Sequence, residues 1–288
     1  MIHKNKTTLT LLFSAPALSF YILFYFIPVV LSIIVSFTNW TPLNPRIFQF
    51  VGLTNYIKCI DDHYFWSSLI VSLLLTVSTL IIENGVGLVL ATLVSRVSRG
   101  RRLYNVMIFA PVVVPPIYVG ILWSWFVHKD LGLISALLQS FLMKPIALLG
   151  EPFTALLTVI IANNWKWIGF AFAIYLAALQ EIPVELYEAA ELDGASGLES
   201  FFHVTVPMLK RTFLTLMILI TAGAFQTFDL VYSMTGGGPG RSTAVLPLYI
   251  YEVAFFYYDI GYASAMSVIM FLITLVLSII YLRVLRVK

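Results

Sequence analysis

Six apolar runs decide what this chain can fold into. They cover about Leu9 to Phe37, Ser67 to Val94, Val106 to Val127, Phe153 to Ala178, Phe213 to Tyr232 and Ile260 to Tyr281. As a helix, a stretch of ~20 mainly apolar residues spans the hydrocarbon core of a bilayer. Lipid offers no hydrogen bonds, so a spanning segment must satisfy its backbone internally, as a helix or in a closed barrel. The runs show no period-two alternation, which removes the barrel. Only 11% of the 288 residues are charged, against roughly 25% in a soluble domain. The expected fold is an all-α membrane protein with six transmembrane helices.

The first run exceeds the ~7–15 apolar residues of a signal peptide. Despite Lys4, Lys6 and the small residues Ser14-Ala15-Pro16-Ala17, it reads as an uncleaved anchor. Lysines and arginines set orientation. Eleven fall on the side of both termini (Lys4, Lys6, Arg96, Arg99, Arg101, Arg102, Lys210, Arg211, Arg283, Arg286, Lys288). Six remain: Arg46, Lys58, Lys129, Lys144 and Arg241 on the other side, with Lys166 near or within the fourth span. Both termini are therefore expected in the cytoplasm. The cluster Arg96 to Arg102 lies between two spans, where an anionic leaflet explains it without nucleic acid. The single cysteine, Cys59, excludes an internal disulfide and reads as a small side chain in a loop.

Six of the fourteen acids lie between Glu181 and Glu199, on the expected cytoplasmic side. Pro183 is suited to a first helical turn, and Glu185 then favours the helix dipole. Glu181, Glu185 and Glu188 are spaced to share one helical face. Gly194 can take the left-handed conformation that ends a helix. Ser196 and Glu199 fit a capping box that starts a second one, which Pro207 should break or kink before the fifth span. Two readings of this bent pair stand: an interfacial amphipathic element, or a docking element for a soluble partner.

Glu188-Ala189-Ala190, Gly194 and Val204-x-Val206-Pro207 resemble the EAA loop of binding-protein-dependent ABC importer permeases, with Val204 and Val206 in place of the family's Ile and Leu. Three further segments resemble the maltose-type, sugar-uptake branch. They are Gly52-Leu53-Thr54-Asn55-Tyr56 with Phe65-Trp66-Ser67-Ser68-Leu69, Thr235-Gly236-Gly237-Gly238-Pro239-Gly240 with Ser242-Thr243, and Gly261-Tyr262-Ala263-Ser264-Ala265. The matches run in order along almost the whole chain.

The resemblance implies a type I ABC importer permease fold with a cytoplasmic coupling helix. Residues 1–66 would supply an N-terminal span and external loop, and 67–288 a five-helix permease core with the EAA loop at about 181–210. Implied partners are a second, homologous but different permease chain, two cytoplasmic ATPase subunits, an external substrate-binding protein and the lipid bilayer of a bacterial or archaeal inner membrane. ATP and Mg would sit on the ATPase subunits, with no cofactor in this chain. The implied ATPase-coupling residues are Glu188, Ala189, Ala190, Asp193, Gly194 and Pro207. The run Gly236 to Gly240 lacks the Lys-Ser/Thr of a phosphate-binding loop, so the chain is not expected to be an enzyme.

Polar groups within spans are costly and default to functional candidates. Amides and carboxylates can bind sugar hydroxyls, and aromatic faces can cover sugar C–H surface. Candidates for the substrate path are Asn163, Asn164, Trp167, Phe225, Gln226, Asp229 and Tyr232. Trp165 and Phe228 are further aromatics of this kind. Amides also link helices, so the structural reading stays open for each. Lys166 and Asp229 have two placements, paired with each other or at the external rim. Glu83 is open between the path and a partner-subunit face. The expected function is a pore subunit for ATP-driven uptake of sugars or sugar-like polyols. A self-sufficient carrier or channel is the alternative, and a purely structural membrane anchor the third reading.

Overall fold

The computed structural model describes residues 13–46, 48–142 and 147–286. Leu9 to Leu12 of the first expected span, and Lys4, Lys6, Lys144 and Lys288 of the charge argument, lie outside the described residues. Among those described, the fold is helical apart from a single bridge between Thr38 and Phe50.

In chain order the helices are α1 (Phe13–Val35), α2 (Thr54–Asp61), α3 (His63–Ser95), α4 (Arg101–Val113), α5 (Pro116–Phe126), α6 (Leu133–Leu142) and α7 (Pro152–Gln180). Then follow α8 (Val184–Leu192), α9 (Gly197–Met208), α10 (Lys210–Phe225), α11 (Asp229–Met234), α12 (Leu246–Phe255) and α13 (Ile260–Arg286). Four helices (α1, α3, α7 and α13) are long and apolar enough to cross a membrane unaided. The pairs α4–α5 and α9–α10 bring the total to six if each counts as one bent span.

The bends have identifiable causes. The expected third span is not straight, because α4 and α5 meet at 100°. Pro115 and Pro116 lie at the joint. Helical geometry is disfavoured for a residue before proline, and here Val114 and Pro115 are extended (ψ 129° and 140°). Pro28 and Pro207 are absorbed differently. Each follows a five-residue π-type turn, Ile22–Phe26 or Phe201–Thr205, whose wider hydrogen bond spares the carbonyl a proline ring would strike. The break expected at Pro207 accordingly comes two residues later, at Leu209, with a bend of 63°. The fifth span also ends early. α10 stops at Phe225, and Gln226 to Phe228 lead into the separate short helix α11.

Two compact units divide the chain. One comprises residues up to Phe65 with Ile250–Phe271; the other comprises Trp66–Tyr249 with the residues from Leu272. In the first, Asn55 donates its amide protons to the carbonyls of Ser36 and Thr38, both at 2.8 Å. Tyr56 meets Ser36 at 2.6 Å. Lys58 pairs with Asp259 at 2.7 Å, and the Tyr262 hydroxyl donates to Asp62 at 2.5 Å. Gly261 lies against the Thr38 carbonyl, where a side chain would collide. Cys59 belongs to α2 rather than a loop, and burial pushes its thiol up to about 11.

In the second unit, α3, α7 and α10 share a core of Ala91, Val94, Ala171, Phe172, Tyr175, Leu176, Leu216 and Ile220, with Leu209 at the bend. Small residues let the helices approach closely, as lipid-embedded packing requires. A Cβ on Gly87 would lie 2.9 Å from that of Ala171. One on Gly169 would press on α4, 3.0 Å from both Phe109 Cα and Val112 Cγ2. Gly169→Leu should therefore cost about 1–3 kcal/mol by overpacking. The check is the Tm of the solubilised protein, which should fall well below that of Gly223→Leu, where an added Cβ meets nothing within 4 Å.

Candidate functional site

Two features emerge, an exposed hairpin between membrane helices and a cavity at mid-helix depth. The hairpin is α8 and α9. Pro183 is the residue before α8 rather than its first, and α7 has already ended at Gln180. Glu181 thus falls outside α8 and does not share a face with Glu185 and Glu188, contrary to what their spacing suggests. The cause is Pro183, which interrupts helical geometry after Glu181.

Helix α8 ends in a Schellman closure. Ala195 N–H donates to the Ala190 carbonyl at 2.9 Å, and Gly194 N–H to that of Glu191 at 3.0 Å. Gly194 sits at φ +83°, a conformation glycine adopts without penalty. The capping box then forms: Ser196 N–H donates to the Glu199 carboxylate at 2.6 Å, and Glu199 N–H to Ser196 Oγ at 3.3 Å. Tyr187 and Thr205, their hydroxyls 3.0 Å apart, join α8 to α9. No residue of α8 is buried. Glu188 and Ala189 are exposed and Ala190 half-buried, while Leu192 and Leu198 are exposed at 89% and 72%. Asp193 caps α8, and Pro207 lies near the α9–α10 bend.

The cavity occupies about 210 Å³ between α3, α7 and α10. Thr79 and Glu83 lie near the midpoint of α3, and Asn163 and Trp167 near that of α7; Gly223 and Thr227 close the α10 side. Glu83 is 2% exposed, and its Oε1 has no hydrogen-bond partner among the described residues. Asn163 donates to Thr79 Oγ1 at 3.3 Å while its own Oδ1 is likewise unpartnered. Buried unpartnered acceptors are rare because each costs about 1–3 kcal/mol.

Of the candidate path residues, Asn163 and Trp167 line this cavity. Asn164 is buried beside them in sequence and donates to the Ile160 carbonyl. Phe225 is packed at 1% exposure. Gln226, Asp229 and Tyr232 lie at or beyond the end of α10, at exposed positions, with Tyr232 stacked on Phe228. Asn84 is a helix link, accepting from Tyr175 at 2.8 Å. Sequence reasoning missed Thr79 and Thr227. Thr79 sits one turn before Glu83, the only available signal.

Lys166 neither pairs with Asp229 nor lies at a rim. It is 1% exposed, and its ammonium donates to the carbonyls of Val114, Val112 and Pro111 at 2.6, 3.1 and 3.4 Å. The Val112 and Val114 carbonyls are freed where the proline pair ends α4, while that of Pro111 also accepts from Val114 N–H at 3.3 Å. A cation is the fitting cap for a helix C-terminus.

Four long apolar helices and two bent apolar pairs, with an exposed α8–α9 hairpin, describe a polytopic membrane protein. The family model for "Binding-protein-dependent transport system inner membrane component" matches residues 83–286. A probable ABC transporter permease protein of Bacillus subtilis is 34% identical, the match covering 98% of this chain and 97% of the relative. The trehalose/maltose transport system permease of Thermococcus litoralis is 34% identical, over 93% and 90%. A chain of a bacterial alginate ABC transporter, solved with an alginate pentasaccharide-bound periplasmic protein, shares the fold at TM-score 0.85 and 20% identity, over 98% and 95%. The chain belongs to the family of inner-membrane permease components of binding-protein-dependent transport systems, and its fold is that of the type I importer permeases.

Two outcomes test these local structures. Lys166→Met should strand the carbonyls of Val112 and Val114, each at a cost of about 1–3 kcal/mol, and lower the Tm far more than Lys166→Arg, which keeps donors. Hydrogen bonds from Ser196 hold the Glu199 carboxyl below the usual glutamate range. Its contribution to the cap is thus complete above the unfolded value of about 4.3 and is lost only as pH falls through the lower folded value. The NMR amide shift of Ser196 should report that transition, and Glu199→Gln should abolish it.

Proposed function

We propose that this chain is one half of the translocation pore of an ATP-driven importer for sugars or sugar-like polyols, and that the α8–α9 hairpin couples it to a cytoplasmic ATPase. The observation that carries the reading is the hairpin itself. It is closed by a Schellman turn, a capping box and the Tyr187–Thr205 contact. Yet it exposes Leu192 and Leu198 beside Glu188. A rigid element with an unburied apolar and acidic face suits docking into a cleft: the apolar residues supply area, Glu188 a charge-assisted contact, and Gly194 the bend.

On this reading both termini and the hairpin are cytoplasmic, and the assembly contains a second permease, two ATPase subunits and an external binding protein. ATP and Mg belong to the ATPase subunits, and this chain performs no hydrolysis. ATPase closure pulls the hairpins, and the packed helices rock as rigid bodies to alternate access. The cavity beside Asn163 and Trp167 lies on the path. The relative named for trehalose/maltose transport supports a carbohydrate cargo. Family membership sets the self-sufficient carrier aside.

The test is Glu188→Lys combined with Gly194→Pro, since proline cannot occupy φ +83°. Substrate-stimulated ATPase of the assembled complex should fall at least about ten-fold, a loss of order 1.4 kcal/mol in coupling, while the pore chains remain in the membrane. Undiminished stimulation would remove the hairpin from the coupling role.

A further inference from the structure

The last turns of α3 and the start of α9 enclose a groove of about 390 Å³. Val89 and Leu93 lie one turn apart on a single face of α3, and Arg96, just past the helix end, continues their stripe. Leu198 and Phe201, three residues apart on α9, form the facing wall. Val89, Leu93 and Leu198 are exposed and Phe201 is half-buried. This is apolar surface that no other part of the chain covers.

The two ends of the groove differ. Around Val89 the lining is hydrocarbon, and Thr92 turns its hydroxyl onto the Leu88 carbonyl at 2.9 Å. At the other end the Arg96 guanidinium stands beside Gly197, where an added Cβ would lie 3.9 Å from Nη1. Among the described residues that guanidinium has no hydrogen-bond or ion-pair partner, and no carboxylate lines the groove. The neighbouring Glu199 is held by the Ser196 N–H at 2.6 Å. Depth agrees with this polarity. Helix α3 has 33 residues, about 50 Å at 1.5 Å per residue, against the ~40–45 Å of a bilayer with its headgroups. Its final turns therefore pass from acyl chains into the headgroup layer, with Arg96 at the level of the phosphates.

An occupant must be apolar at one end and anionic at the other. A soluble anion leaves Val89 and Leu93 uncovered, and a zwitterionic lipid brings its own cation to compete for its phosphate. We propose that the groove binds one anionic phospholipid, its acyl chain between α3 and α9 and its phosphodiester on Arg96. A charge-assisted hydrogen bond in a sheltered groove is stronger than the diffuse attraction that Arg99, Arg101 and Arg102 share towards an anionic leaflet. The bound lipid braces α9 against α3 and makes the bilayer part of the hairpin's support. Glu188 and Leu192, on α8, are outside the lining, so the site stands whether or not the hairpin engages an ATPase.

The experiment uses the assembled transporter in phosphatidylcholine vesicles that contain a phosphatidylglycerol with a photoactivatable diazirine in its acyl chain. Cross-links are mapped by mass spectrometry to residues 89–96 and 197–201, which bound the groove. Labelling there should exceed that by the matching phosphatidylcholine probe at least about ten-fold, as a hydrogen bond to a charged group allows. Arg96→Gln should remove that advantage, again at least about ten-fold. Arg102→Gln deletes a cation that does not line the groove. It should lower labelling by no more than about five-fold, the share of one cation near an anionic surface. Gly197→Leu changes no charge but fills the groove beside Arg96, and should lower labelling as far as Arg96→Gln does; it serves as the second measure if that variant assembles poorly. Excess soluble glycerophosphoglycerol should not compete. Equal labelling by the two lipids, or equal losses in Arg96→Gln and Arg102→Gln, would reduce the groove to ordinary leaflet contact and overturn the site. Competition by the soluble headgroup would overturn it in favour of an anion alone. Labelling elsewhere on the chain but none in the groove would mean that another protein chain covers it, and the lipid site falls.

Discussion

Inside a bilayer every backbone hydrogen bond must be made by the protein, and this constraint organises the molecule most tightly where it is hardest to meet. The Pro115-Pro116 pair ends α4 and turns the chain by 100°, leaving carbonyls with no helical partner. A buried lysine from α7 answers them. The two halves of the bent segment are about 20 and 16 Å long at 1.5 Å per residue, so neither crosses ~30 Å of hydrocarbon alone. Lys166 thus does more than satisfy acceptors. It ties the joint to a continuous helix, and Gly169, one turn further along α7, lets α4 lie close enough for the bond to form. The same helix carries Asn163 and Trp167, so the cavity inherits its rigidity from this junction.

Most of the architecture was legible in the amino acids. Apolar runs located the membrane helices because hydropathy reports length, and length is what a bilayer tests. The hairpin was legible for another reason. Gly194, Ser196 and Glu199 act within a few residues of themselves, so local rules suffice. What could not be read was direction and partnership. Hydropathy is blind to a bend between two apolar halves, although the proline pair was in view. Nothing in the spacing of Lys166 says that its ammonium will meet carbonyls 52 to 55 residues earlier. The end of α10 at Phe225 was hidden likewise, since the apolar run continues through α11 while the backbone does not.

The cavity and the hairpin stand in a clear mechanical relation. Helix α10 begins at the bend that follows the hairpin and ends at the cavity wall, and its buried residues Leu216 and Ile220 pack into the core shared with α3 and α7. A displacement of the hairpin reaches the cavity through one helix of 16 residues.

The unit formed by the first and last parts of the chain has a consequence in time. Lys58 and Asp259 are separated by 201 positions, and Asp62 and Tyr262 by 200. During synthesis the first loop emerges early, with Asn55 already able to gather the carbonyls of Ser36 and Thr38. Its ionic and tyrosine contacts have no counterpart until nearly the whole protein has been made. Closure of this unit is therefore a late, high-separation event. It sets a checkpoint: a chain truncated before Asp259 can insert its earlier helices, but its first loop stays open at the membrane surface.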